Sequence, residues 1–218
     1  MNTAHTQQAT GQRKKQLSVL IMSTLAFTVC FMVWMIFAVI GIPIKAELGL
    51  NETQFGILVA MPVLTGSLIR LPLGMLTDKF GGRPVFFTIM MLTVVPIWLI
   101  GQATAYWQLL VAGLFVGIAG GSFSVGIAYC ARWFEKKNQG FAMGVFGAGN
   151  AGAAVTKLVA PSIVVAWGWT MVPTVFAVVM LVTALAFFTF TYSDPAHRVE
   201  SHVTFGSQLS ALKDPNVW

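Results

Sequence analysis

Gly74-Met75-Leu76-Thr77-Asp78-Lys79-Phe80-Gly81-Gly82-Arg83 is a short polar turn set between two long apolar runs, Glu52 to Thr77 and Pro84 to Ala103. Each run is long enough to cross a hydrocarbon layer as helix, which takes about 20 residues. A connection this short returns the chain antiparallel to the run before it. The string marks where the chain leaves one side of a membrane and re-enters it. Asp78 can cap or salt-link helix ends, with Lys79 and Arg83 attracting it, so Gly74, Asp78, Lys79, Gly81 and Arg83 form a candidate latch. The alternative is a topology signal with turn glycines.

The remaining sequence has the same character. The 218 residues are 56% hydrophobic and 9% charged, with a mean hydropathy of +0.78, against about 25% charged in soluble domains. That composition excludes a soluble domain and a disordered chain. Apolar runs fall at Leu17 to Ile44, Glu52 to Thr77, Pro84 to Ala103, Tyr106 to Ala131, Asn138 to Ala166 and Trp169 to Tyr192. The expected protein is all-α, with six transmembrane helices over residues 17–192, a polar, mobile tail over 1–16 and a linker over 193–218. The external links around Gln102 and Trp167-Gly168 are short enough to pair spans three to six as hairpins. Trp34, Trp98, Trp107, Trp167 and Trp169 read as interfacial anchors.

The net charge of +6 comes from bases flanking apolar runs. They form no patch with interleaved aromatics, so nucleic acid is not an expected partner. Arg13, Lys14, Lys15, Lys79, Arg83, Arg132, Lys136, Lys137, Arg198 and Lys213 fall on one side of the bilayer and Lys45 on the other. Cytoplasmic loops retain such charge, so both ends of the chain are expected in the cytoplasm. Cys30 and Cys130 lie in apolar runs and make neither a disulfide framework nor a zinc site. No metal and no cofactor are expected.

Arg70 and Lys157 are the bases left inside spans. Arg70 lies eight residues before Asp78, about 12 Å deep at 1.5 Å per residue. A charge at mid-bilayer costs at least about 2.5–3.5 kcal/mol, so it faces a cavity or a partner. The acids Glu47, Glu52, Asp78, Glu135, Asp194, Glu200 and Asp214 all sit in loops or at span ends. An unpaired guanidinium in a small, polar stripe with Gly66, Ser67, Gly74 and Thr77 suits a small oxyanion bound bidentately. Backbone carbonyls within the bundle are the alternative partners. Lys157 stands seven residues beyond Asn150, about 10 Å along one helical face. The two could line one cavity, or Lys157 could snorkel outward.

Glycine is dense from Gly140 to Gly152, and Gly113, Gly117, Gly120, Ser124 and Ala128 give the fourth span a small face. Small residues permit close approach of a helix or a ligand in a membrane. Spans four and five are expected to pack on each other, with Phe123 near the seam, or facing lipid or core if taken alone.

The Gly74 to Arg83 string resembles the loop signature of the major facilitator superfamily, with Thr77 and Gly82 departing from the usual residues. Arg70, with Gly147-Ala148-Gly149-Asn150-Ala151-Gly152, resembles the nitrate/nitrite porter branch. The resemblance implies a six-helix N-terminal half-bundle and secondary transport of nitrate or nitrite across the cytoplasmic (inner) membrane by alternating access. It implies an anion-binding Arg70, a ligand-facing Asn150 among the sliding glycines Gly147 and Gly149, and Phe123 covering a planar anion. It further implies a latch that differs between inward-open and outward-open states. Family members carry two bundles, so the chain is expected to be partial, its partner a second six-helix half or a second copy. Lys157 is the embedded group available for coupling. Proton symport and nitrate/nitrite exchange both stay open, with symport favoured.

Two other readings remain: a carrier of a small organic anion, and a structural or assembly membrane protein, which would leave Arg70 unexplained. An enzyme is not expected, because His5, His197 and His202 lie in the tails and Ser122 has no base.

Overall fold

The computed structural model describes residues 2–193, with side chains from Gly11 onward. Every regular element in it is helical. Six helical segments are long and apolar enough to cross a membrane: Gly11–Leu48, Glu52–Phe80, Gly82–Ile100, Tyr106–Ala131, Lys136–Trp167 and Met171–Phe190, here spans one to six. Three of them are interrupted. Span one consists of α1 (Asn2–Trp34) and α2 (Phe37–Leu48); spans two and three are α3 (Glu52–Phe80) and α4 (Gly82–Ile100). Span four is α5 (Tyr106–Val116), a 3-10 segment (Gly117–Gly121) and α6 (Ser122–Ala131). Span five is α7 (Lys136–Gly147), a second 3-10 segment (Ala148–Ala151) and α8 (Gly152–Trp167), and span six is α9 (Met171–Phe190).

Local chemistry sets the boundaries. At the start of α3 the Asn51 side chain accepts the Gln54 amide at 2.9 Å while Gln54 accepts the Asn51 amide at 3.0 Å. This reciprocal cap satisfies two donors that a helix start otherwise leaves open. Gly81, at φ 88°, separates α3 from α4 with a single residue, a conformation that L side chains rarely adopt. Prolines 43, 62, 72, 96 and 161 lie inside helices, which neighbouring spans tolerate in a bilayer.

Residues 2–16, expected as a mobile tail, continue α1. They contain no proline, and Gln, Lys, Arg and Ala, which cost little in a helix, make up more than half of them. The predicted linker lies outside the described residues apart from Ser193.

The interhelical contacts revise the predicted packing. Span six lies mainly against spans three and one, with slighter contact to span five. Phe86 meets Phe187 at 5.0 Å between centroids and Phe87 meets Phe188 at 4.8 Å. The glycine faces of spans four and five do not close on each other. A Cβ at Gly117 would sit 2.7 Å from the Pro62 carbonyl of span two, and one at Gly152 would sit 2.2 Å from the Thr28 carbonyl of span one. Spans four and five meet chiefly between α6 and α7, where Gly126 receives the Phe146 ring. A small-residue stripe requires close approach but does not name the neighbour.

At one end of the bundle, Gln16 donates to the Trp133 carbonyl at 2.7 Å, Ser18 to the Phe190 carbonyl at 2.7 Å and Tyr129 to the Tyr192 carbonyl. At the other end, Lys45 pairs with Glu52 at 2.5 Å and the Trp169 indole donates to Glu47.

Candidate functional site

Arg70 is half-buried on α3. Its Nε lies 3.4 Å from the Gly120 carbonyl, a long and weak hydrogen bond. Its Cζ stands 5.7 Å from the Trp34 ring centroid and 5.9 Å from that of Phe123. Among the described residues no acceptor meets Nη1 or Nη2, and no carboxylate pairs with the group. The guanidinium is thus held by ring faces and one carbonyl, while its paired donors remain available to an anion.

Three helices make this arrangement. Trp34 comes from α1, Arg70 from α3 and Phe123 from α6. The Ser124 hydroxyl lies 3.2 Å from the Arg70 carbonyl and 2.9 Å from that of Gly121, tying span two to the 3-10 segment of span four. Phe27 links the neighbourhood to span five, with its ring 5.5 Å from Phe123 and stacked on Phe146 at 4.8 Å. A Cβ at Gly149 would lie 2.4 Å from the Phe27 ring, so a larger residue there would push on the aromatic cluster.

The structure therefore brings Arg70 and Phe123 together, with Gly149 joined to them through Phe27. Asn150 is exposed on the 3-10 segment, where its Nδ2 donates to the Gly147 carbonyl at 2.8 Å. A Cβ at Gly147 would meet nothing within 4 Å. Lys157 is exposed two turns further along. Asn150 and Lys157 are thus exposed in this chain, and among the described residues neither shares a hydrogen bond or ion pair with Arg70. Among the described residues no group of three or more His, Cys, Asp or Glu could hold a metal ion.

At the charged end, Asp78 accepts from Arg132 Nη2 at 2.7 Å, and Arg132 Nη1 lies 3.4 Å from the Thr77 carbonyl. Arg83 donates from Nη2 to the Phe188 carbonyl at 2.6 Å and covers the Phe188 ring at 4.5 Å. It thus tethers the last turn of span six, a site that favours cations. Lys79 lies 5.2 Å from the Phe80 ring, Gly81 supplies the positive-φ link between α3 and α4, and a Cβ at Gly74 would meet nothing within 4 Å.

Sequence reasoning missed Arg132 as the partner of Asp78, and Trp34, Phe27 and Phe146 at the ring cluster. The signal for Trp34 was its place ten residues inside the end of its run at Ile44, too deep for an interfacial anchor. Trp98, Trp107 and Trp167 are exposed, whereas Trp169 is buried against Glu47.

In fold, the chain is similar to a solved bacterial homologue of the human lysosomal transporter Spinster, in an inward-facing and occupied conformation. The TM-score is 0.72 at 21% identity, over 86% of this chain and 46% of that one. In sequence it is 43% identical over 182 residues to a protein of Thermus thermophilus named a probable nitrate/nitrite antiporter, covering 78% of this chain and 41% of the relative. It is 37% identical to proteins named probable nitrate transporters in Staphylococcus carnosus and Staphylococcus aureus strain MRSA252. Those matches cover 78% and 82% of this chain and 44% and 46% of the relatives. The chain spans less than half the length of these curated relatives. The family model for the Major Facilitator Superfamily matches residues 22–218, a stretch that takes in most of span one and every later span, and the chain belongs to that superfamily.

Proposed function

We propose that this chain is the first six-helix half of a carrier that moves nitrate or nitrite across the cytoplasmic membrane by alternating access, and that it is not an enzyme. The observation that carries the reading is Arg70, a cation inside the bundle whose Nη donors meet no acceptor among the described residues while two ring faces stand within 6 Å. A flat, delocalised monovalent anion can take both donors in its plane and rest a face on Phe123. The names of the relatives agree with that substrate class.

The site is completed by a second half, joined to this one through the segment after Ser193 or supplied by a second copy. Rocking of two bundles around a central site is how such carriers expose it to each side in turn. Asn150, Gly147 and Lys157 front the side that such a partner would cover. The Asp78–Arg132 pair serves as a latch at the cytoplasmic end, where Lys15, Lys79, Arg83 and the chain termini also lie. Proton symport is the favoured coupling, with Lys157 as its candidate group; nitrate/nitrite exchange is the alternative and requires no proton site, which suits spans whose carboxylates Glu47, Glu52 and Asp78 all sit at span ends.

The test is nitrate uptake into proteoliposomes by the protein expressed in full from its native locus. Arg70→Ala should abolish uptake, and Arg70→Lys should impair it strongly, because an ammonium cannot reproduce the fork. Nitrite should compete and carboxylates should not. Unchanged uptake by Arg70→Ala would remove the site, and inhibition by carboxylates alone would assign the carrier to organic anions.

A further inference from the structure

Arg70 lacks the carboxylate that usually positions a buried guanidinium, so something else must fix where it points. Trp34 has the required geometry. It ends α1 inside span one, and its position is fixed from three directions. Its indole Nε1 donates to the Pro62 carbonyl at 2.8 Å. Its ring occupies a seat left by two glycines from different spans, since a Cβ at either Gly66 or Gly120 would stand 2.7 Å from Nε1. Phe31 stands against it at 5.1 Å between centroids. The anchored ring lies 5.7 Å from Arg70 Cζ.

We propose that Trp34 is the positioning residue for Arg70, an aromatic stand-in for a counter-ion. A carboxylate in this place would hold the guanidinium and also occupy its donors and neutralise its charge. A ring face attracts the cation through its quadrupole and accepts no hydrogen bond in the guanidinium plane. The cation is held while its charge and its Nη donors stay free for a passing anion. Gly66 and Gly120, which otherwise read as helix-packing residues, make room for the indole. This inference rests on Arg70 as the anion site, and it adds the residue that orients it.

The experiment measures nitrate uptake against concentration in proteoliposomes holding the full native-locus protein, with Arg70→Ala, Trp34→Leu, Trp34→Phe and Gly120→Ala. Trp34→Leu removes the ring face and should raise the half-saturating nitrate concentration about tenfold, with the maximal rate within about twofold. Trp34→Phe restores a face and should recover most of that affinity, although it loses the Pro62 bond. Gly120→Ala displaces the indole and should weaken binding like Trp34→Leu. Adding Trp34→Phe to it should relieve the clash with the indole, leaving only the approach to the Gly66 Cα at 3.1 Å, and regain part of the affinity. That pair carries the test should Trp34→Leu fail to accumulate. Half-saturation unchanged in Trp34→Leu or in Gly120→Ala overturns the proposal. So does Trp34→Phe performing as poorly as Trp34→Leu, which assigns the effect to packing. If Arg70→Ala transports normally, the anion site itself is wrong; if Arg70→Ala is dead and the Trp34 and Gly120 variants are silent, only the role of Trp34 fails.

Discussion

Replacing Gly152 with alanine should open the seam between spans one and five. The added Cβ would lie 2.2 Å from the Thr28 carbonyl oxygen and 3.0 Å from the Met32 amide nitrogen, whereas ordinary contact begins at 3.4 Å. Both obstacles are backbone, so no side chain can swing aside. The helices must part locally by about 1 Å, a gap that forfeits a quarter to a half of each dispersion contact across it. The Thr156 hydroxyl donates to the Met32 carbonyl at 2.9 Å, and that bond stretches beyond use at the same time. It matters because span one is broken just there. The Ile36 amide bonds the Val33 carbonyl at 3.1 Å, which leaves the Met32 carbonyl to Thr156. Overpacking costs about 1–3 kcal/mol, and an interhelical hydrogen bond in a membrane about 0.6 kcal/mol, so Gly152→Ala should destabilise the bundle by about 2–3 kcal/mol. Equilibrium unfolding in mixed micelles reads this directly. A loss under about 0.5 kcal/mol would refute the reasoning and mean that spans one and five are not in backbone contact at Gly152.

Three further outcomes follow from the same structure. Thr156→Val keeps the shape and removes the donor, so it should cost about 1 kcal/mol in the same unfolding assay, and in the Gly152→Ala background it should cost less, since that bond is already broken. Asn51→Ala removes the cap of α3 and should lower stability by about 1 kcal/mol, with faster amide exchange confined to the first turn of span two. The Asp78–Arg132 pair has side chains 47% and 25% exposed, so a double-mutant cycle of Asp78→Asn and Arg132→Gln should give a coupling below about 1 kcal/mol that shrinks in high salt. A coupling that salt leaves unchanged would contradict the exposed geometry.

The six spans were legible because a bilayer imposes length and apolarity directly on the sequence, and their ends fell within a few residues of the helical limits except at the start of span one, where the helix begins at Asn2 instead of Leu17. Gly81 and Gly168 were legible as turns for a similar reason, since positive φ restricts the residue type. Arg70 was legible as a candidate because a lone cation inside a span demands an explanation, Phe123 only through the family resemblance, and the two do meet. What could not be read was which helix faces which. The glycines of spans four and five announced close approach, and adjacency in sequence suggested that the two approached each other. Instead span four closes on span two at Gly117, and span five closes on span one at Gly152. Trp34 was misread because tryptophan is common at interfaces, while its seat is formed by Gly66 and Gly120 from two other spans. Arg132 was counted only as a topology charge because its pairing with Asp78 spans 54 positions of sequence.

The tight segment Gly117–Gly121 also alters the angular bookkeeping of span four. A 3-10 turn advances 120° per residue and an α-turn 100°. Over its five residues the helix that follows is therefore rotated by about 100° relative to an uninterrupted α-helix, and its axis is lengthened by about 2.5 Å. One continuous span can thus present its small residues to span two in its first half and, after the phase shift, turn Gly126 to the Phe146 ring of span five. No single helical wheel describes such a segment. Restoring a regular α-helix across Gly117–Gly121 would rotate Phe123 and Ser124 out of register with Arg70 without changing either residue.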